Sequence, residues 1–210
     1  MSNPTKVQRR ISSVQTMAMP FFLLLAILLH AAVRGNAQGV PRPVRITAVV
    51  AAGTGCRAAT ARLSPGGRSF NVSFRAFRAS TPGSPVNRRK NCQAAVALSY
   101  PAGWQVSVSS VTARGAARLS RGVQGAAAVG YYVSGSAGTA RALRNIVGPY
   151  NRWYTFTSRL SPVIFTPCGA GANINVNVEV RVVPGRAARA SGVVSIGRSP
   201  TTFALTWKKC

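Results

Sequence analysis

The chain has 210 residues, with 27 Lys or Arg, one acidic residue and one His, giving a formal net charge of +26. Its 47% apolar content is that of a chain with a packed core rather than a disordered one. So few acids exclude paired-carboxylate hydrolysis, carboxylate-rich Ca²⁺ or Mg²⁺ sites and a Ser-His-Asp relay.

In chain order, a basic start at Lys6, Arg9 and Arg10 precedes an apolar stretch from Met17 to Leu29, interrupted by Pro20. Its thirteen residues fall short of the about 20 needed to cross a ~30 Å hydrocarbon core. With small residues Gly35 and Ala37 at the −3 and −1 places, residues 1–37 read as a secretory signal cleaved after Ala37. Removing those 37 residues from 210 leaves 173, with 23 of the 27 basic residues against Glu179, about +22. His30 and all three Met leave with the signal, so histidine general bases and imidazole metal ligands are excluded from the mature chain. No cofactor is expected. The bases are ordinary in number, and the charge is extreme because acids are missing.

Residues 38–52 read as a lead-in and first strand, with Val44 to Val50 apolar and β-branched, and residues 53–210 as one secreted domain. Arg57 to Leu63 and Ser69 to Phe77 are predicted strands around the turn Ser64-Pro65-Gly66-Gly67. Ala94 to Tyr100 is predicted to end at a Pro101-Ala102-Gly103 turn, followed by a strand from Trp104 to Val111. Val129 to Val133, Trp153 to Thr157, Val163 to Phe165, Asn173 to Val183, Val193 to Ile196 and Phe203 to Trp207 complete the strands. Gly138 to Ile146 is the one place for a helical turn. About ten short strands with Gly/Pro/Ser turns predict an all-β chain, an antiparallel β-sandwich of jelly-roll or Ig-like type. Cys56, Cys92, Cys168 and Cys210 predict two disulfides, since no CxxC metal spacing exists and no His would activate a catalytic thiol. Three pairings are possible. Cys56–Cys210 with Cys92–Cys168 is expected, because the first would tie the two ends of the domain.

Arg89-Lys90-Asn91-Cys92-Gln93, Tyr100-Pro101-Ala102-Gly103-Trp104, Gly148-Pro149-Tyr150, Thr166-Pro167-Cys168-Gly169 and the terminal Trp207-Lys208-Lys209-Cys210 follow one another in a fixed order. With Gly55-Cys56 they resemble the secreted "domain of unknown function 4360" family over residues 53–210. The resemblance implies a small secreted β-rich domain with two disulfides and no established activity, so it carries over cysteines and no active site. Members carry ordinary numbers of acids around the segment matching Gly148 to Phe156, which here has none. The charge therefore belongs to this lineage rather than to the family.

The most patterned segment is Asn173 to Val183. Ile174, Val176, Val178, Val180 and Val182 alternate with Asn173, Asn175, Asn177, Glu179 and Arg181. The polar set suits sugar hydroxyls, or the solvated face of a half-buried strand, with Glu179 and Arg181 as a simple ion pair. Tyr131, Tyr132, Tyr150, Trp153 and Tyr154 suit stacking on sugars or bases beside Arg141, Arg144 and Arg152, or packing between the sheets. Trp104 and Trp207 read as core. Asn71-Val72-Ser73 is a glycosylation sequon in a strand where Phe70, Val72 and Phe74 face inward. Arg88, Arg89 and Lys90, in a Pro/Asn-rich loop, are the best single anion site, or a solvated loop. These features predict a non-enzymatic secreted protein of the cell wall or matrix that binds anionic polysaccharide. The alternative is a cationic defence protein acting on anionic microbial surfaces, although no amphipathic helix is present. Nucleic acid ranks below both, because secretion argues against it and no binding motif occurs.

Overall fold

The computed structural model describes residues 39–56, 58–75, 77–186, 190–197 and 199–210. Residues 1–37, expected from the sequence to be a secretory signal, lie outside them. The described chain is all-β. Its eleven strands are β1 (Arg45–Ala52), β2 (Ala59–Leu63), β3 (Ser69–Phe74), β4 (Phe77–Thr81), β5 (Arg89–Leu119), β6 (Gln124–Val133), β7 (Ala140–Val147), β8 (Tyr150–Arg159), β9 (Gly169–Val183), β10 (Gly192–Ile196) and β11 (Thr201–Lys209). Every pairing is antiparallel and hydrogen bonding is continuous through all of them.

The continuity runs through β5, whose 31 residues serve two layers. Its first part, Arg89 to Ser99, lies between β1 and β9, with β6 and β7 beyond. Its last part, Ser110 to Leu119, has β8 on one side and β11 and β10 on the other, with β3, β4 and β2 beyond. The first set is called layer A and the second layer B. Between them, Pro101-Ala102-Gly103 forms no hairpin turn, contrary to the sequence expectation. Ser99 pairs with Gly171 and Trp104 with Gly169, so β5 places six positions against three of β9. The excess is taken up as a bend that uses Gly103 at φ 81° and carries the strand from one layer to the other.

The alternating apolar positions face inward and close the sandwich. Phe70 stacks on Phe203 with ring centroids 5.0 Å apart, and Tyr100 meets Trp207 edge-on at 5.2 Å. The Trp207 indole donates to the Gly67 carbonyl at 2.8 Å. That carbonyl belongs to the predicted β2–β3 turn, where Gly66 and Gly67 take φ of 84° and 67°. Trp104 is only half-buried, with the Lys209 ammonium 5.7 Å from its ring, so of the two tryptophans read as core Trp207 alone is fully inside.

Other expectations are corrected. Gly138 to Ile146 holds no helical turn: Ala140 to Val147 pairs with β6 as strand β7. Val163 to Phe165 is not a strand. Its backbone bonds side-chain hydroxyls instead of a strand, Ile164 N–H donating to the Tyr131 hydroxyl and the Phe165 carbonyl accepting from Ser136 Oγ. Ser69 to Phe77 divides at Arg75 into β3 and β4. The disulfides are Cys56–Cys92 and Cys168–Cys210, with Cα separations of 4.9 and 5.9 Å, not the pairing that ties the domain ends. Strand order explains both. Because β1 runs back along β5, the loop after it meets Asn91, Gly55 donating to the Asn91 carbonyl at 2.8 Å, and Cys56 arrives beside Cys92. Gly169 and Lys209 both pair with Trp104, so the cysteines next to them meet at the β5 bend.

Candidate functional site: a polar cleft on the outer face of layer A

Strand β9 is the centre of layer A, and its parity follows the sequence. Ile174, Val176, Val178, Val180 and Val182 are buried against layer B, and the Asn/Glu/Arg set faces outward. The outward set is not evenly solvated. Asn173 is exposed, Asn177 half-buried, and Asn175 and Glu179 are buried at 6% and 7% exposure. Neighbouring strands account for this. On one side the register sets Asn91 against Glu179 and Gln93 against Asn177. On the other, Ala128 lies against Glu179, Gly130 against Asn177 and Tyr132 against Asn175.

Ala128 and Gly130 give β6 almost no side chain at this level, while the longer Arg89, Gln93, Tyr132 and Arg141 rise around it. The result is a shallow cleft of about 290 Å³ floored by backbone and small residues, near the lower end of ligand-site sizes, about 300 Å³. A Cβ at Gly130 would press on the Ala140 carbonyl oxygen at 2.7 Å, so the floor has no room for a larger residue.

Glu179 fixes one wall. One carboxylate oxygen accepts from Arg89 Nη2 at 2.6 Å and Nε at 3.0 Å, and the other from Arg141 Nη2 at 3.3 Å. The Glu179 hydrogen bond, and then its charge, raise the Arg89 pKa against a small opposing desolvation. The expected Glu179–Arg181 pair is therefore corrected. Residues two apart on a strand lie about 7 Å apart; Arg89, diagonal to Glu179 on β5, and Arg141, reaching from β7 over the small Ala128 and Gly130 of β6, bring their long side chains onto the carboxylate instead. The opposite wall is neutral: Gln93 Nε2 donates to the Tyr132 hydroxyl at 2.9 Å, and Asn175 Nδ2 to Ser134 Oγ at 3.0 Å.

The other predicted residues are dispersed. Arg89 joins the cleft, but Arg88 is half-buried with its Nε unpartnered, and Lys90 is half-buried on the opposite side of β5 from Arg89, so the three bases form no single patch. Tyr150 and Trp153 lie on β8 in layer B, apart from the asparagines, with Trp153 60% exposed. Tyr131 and Tyr154 are core residues. Asn71 is half-buried and accepts from Thr202 Oγ1 at 2.7 Å, while Phe70, Val72 and Phe74 face inward as expected. Gln93, Tyr132 and Arg141 were not grouped from the sequence as partners of the asparagine ladder. The one local signal was the small-residue run Ala126-Ala127-Ala128-Val129-Gly130, which leaves room above β6. Among the described residues no group of three His, Cys, Asp or Glu is placed to hold a metal, and no helix is long and apolar enough to cross a membrane.

The model of the domain of unknown function DUF4360 matches residues 42–210. The chain belongs to this family. A relative, the uncharacterized secreted protein of Arthroderma benhamiae, is 32% identical over 187 residues, covering 84% of this chain and 75% of its own. Like that relative, this DUF4360 protein is secreted. Among solved structures, TmCBM61 in complex with β-1,4-galactotriose is similar at 15% identity and a TM-score of 0.31, covering 83% of this chain and 94% of that one. A family 11 carbohydrate-binding module from Clostridium thermocellum, bound to a mixed-linked tetrasaccharide, is similar at 9% identity and a TM-score of 0.23, covering 80% and 92%. Scores this low pass no residue role and no ligand from either structure to this DUF4360 chain.

Proposed function

We propose that this protein is a secreted, non-catalytic glycan-binding protein that takes its ligand in the layer A cleft. The observation that carries the reading is the cleft itself: Gln93, Asn177, Tyr132 and Glu179 converge over a floor of Ala128 and Gly130. A sugar offers hydroxyls that both donate and accept. The amides of Gln93 and Asn177 do the same, the Tyr132 ring supplies an apolar edge, and the Arg-held carboxylate is a fixed acceptor. Catalysis is disfavoured on chemical grounds. The single acidic side chain is occupied by two guanidiniums, and the mature chain has neither a second carboxylate nor a His with which to exchange a proton.

The test is a glycan array followed by calorimetry with the Gln93→Ala and Asn177→Ala variants. Each lost hydrogen bond is expected to weaken binding by about 3- to 10-fold. Absence of any ligand on the array, or a ligand held equally by the double variant, would overturn the assignment.

A further inference from the structure

We infer that the outer face of layer B is a second, separate docking surface, for an acidic polysaccharide bearing carboxylates or sulfates. The parity of its strands places Arg114 and Arg118 of β5, Arg159 of β8, Arg78 of β4 and Arg62 of β2 on this one face. Each lies on the strand side opposite the buried residues Ala113, Ala117, Tyr154, Phe77 and Val72 or in register with such a position. All five are exposed. The only acidic side chain of the chain, Glu179, is on the other layer and already engaged by Arg89 and Arg141. No acidic side chain therefore neutralises the five.

Their spacing suits an extended polymer. Arg114 and Arg118 are four residues apart on one strand, about 13 Å, and β4 is two strands from β5, about 10 Å. Between the arginines lie hydroxyls and a ring. Thr112 and Thr157 hydrogen-bond across β5 and β8 at 2.9 Å. Trp153 stands opposite Ala116, beside a depression of about 380 Å³ that also reaches Arg118 and Ser195. Arg118 is steadied by its Nε donating to Asn151 Oδ1 at 3.3 Å. Guanidinium forks match carboxylate and sulfate oxygens, hydroxyls match sugar hydroxyls, and an indole face stacks on a sugar ring. Trp153 is the one large apolar side chain exposed on this face among the described residues, too little for insertion into a bilayer.

The experiment measures binding of the secreted protein to polygalacturonate, dextran sulfate, neutral dextran, duplex DNA and anionic vesicles at one ionic strength. Arg78→Gln/Arg114→Gln/Arg118→Gln is compared with Arg45→Gln/Arg181→Gln/Arg186→Gln, which removes equal charge away from the layer B face, and with the cleft variant Gln93→Ala. The face variant is expected to lose at least about 10-fold on both acidic polysaccharides, the charge control less than about 3-fold, and Gln93→Ala nothing. Trp153→Ala alone is expected to lose about 5-fold. Equal losses in the two triple variants would overturn the proposal, because net charge would then be the cause. Tighter binding to DNA or vesicles than to either acidic polysaccharide would overturn it as well.

Discussion

The two outer faces of the sandwich are built from the same biased composition, and only one of them carries the chain's acidic side chain, Glu179. On layer A, Glu179 draws Arg89 and Arg141 inward and turns a polar strand into a walled cleft. On layer B, Arg62, Arg78, Arg114, Arg118 and Arg159 stand over hydroxyl-bearing strands with no acid among them. A single carboxylate in an acid-poor chain thus sets local geometry, and its absence sets local field. Charge that has a fixed partner shapes a small site, while charge without one acts at a distance and is screened by salt.

The largest expected separation of the two faces comes from the disulfides. Cys92 lies in β5 between Asn91 and Gln93 and is fully buried, so Cys56–Cys92 steadies the strand that carries the cleft wall. Cys168–Cys210 closes the β5 bend, remote from both faces. Their loops are similar, with sequence separations of 36 and 42, and each contributes about 4 kcal/mol by the chain-entropy relation. Cys56→Ala/Cys92→Ala is expected to lose about that much in denaturant titration and to weaken cleft binding, leaving binding to acidic polysaccharide unchanged per folded molecule. Cys168→Ala/Cys210→Ala is expected to lose similar stability with neither binding function altered once folded. Parallel loss of both functions in the first variant would show that the faces are mechanically one unit.

A smaller change tests the contrast directly. Glu179→Gln leaves Arg89 and Arg141 without their counter-charge. Both arginine side chains are more than half exposed, at 68% and 53%, so water takes up much of what the carboxylate supplied. The expected cost is about 1 kcal/mol rather than the 3–5 kcal/mol of a fully buried pair. Layer A then resembles layer B. Cleft affinity for a neutral glycan is expected to fall, and affinity for polygalacturonate to rise a few-fold even in a chain whose layer B arginines are removed. A variant binding acidic polymer no better than its parent would refute the view that one acid separates the two faces.

What the sequence made legible follows from the range of each signal. The parity of Asn173 to Val183 and the inward Phe70, Val72 and Phe74 are period-2 patterns within one strand, and they held. The burial of Asn175 and Glu179 depends on Gln93, Ala128 and Tyr132, which reach β9 from strands about 40 to 85 residues away. The layer B arginines span Arg62 to Arg159 and meet only through pairings of β2, β3, β4, β5, β8, β10 and β11. Clustering along the chain instead pointed to Arg88, Arg89 and Lys90, of which Arg88 precedes β5 and alternation sends Arg89 and Lys90 to opposite sides of it. Cysteine pairing was hidden for the same reason, because it is set by which strands become neighbours. The β5 bend was read as a turn because Pro101-Ala102-Gly103 carries a turn's residues. A Gly with positive φ serves a bulge as well as a hairpin.

The smallest effect lies beneath the layer B face. Tyr154 projects inward from β8 across Gly115, where no side chain obstructs it, and its hydroxyl donates to the Ser195 carbonyl of β10 at 2.7 Å. It thereby couples β8 to β10 under the surface that carries Trp153, Arg118 and Ser195. Tyr154→Phe leaves that carbonyl without the hydroxyl and is expected to cost about 1 kcal/mol, with cleft binding unaltered and layer B binding reduced less than about 2-fold. The pH dependence supplies the sharper readout. Burial, and then the Tyr150 charge, push the Tyr154 phenol well above its usual value, with Arg144 opposing. A raised phenol pKa means that the folded state keeps its proton where the unfolded chain has released it. The contribution of Tyr154 is therefore complete below about pH 10, the unfolded value, and declines as the pH rises beyond it. The stability difference between parent and Tyr154→Phe, from denaturant midpoints at pH 8 and pH 11, is expected to shrink at the higher pH. A difference that stays constant or grows would mean that the hydroxyl is not held protonated between the two layers.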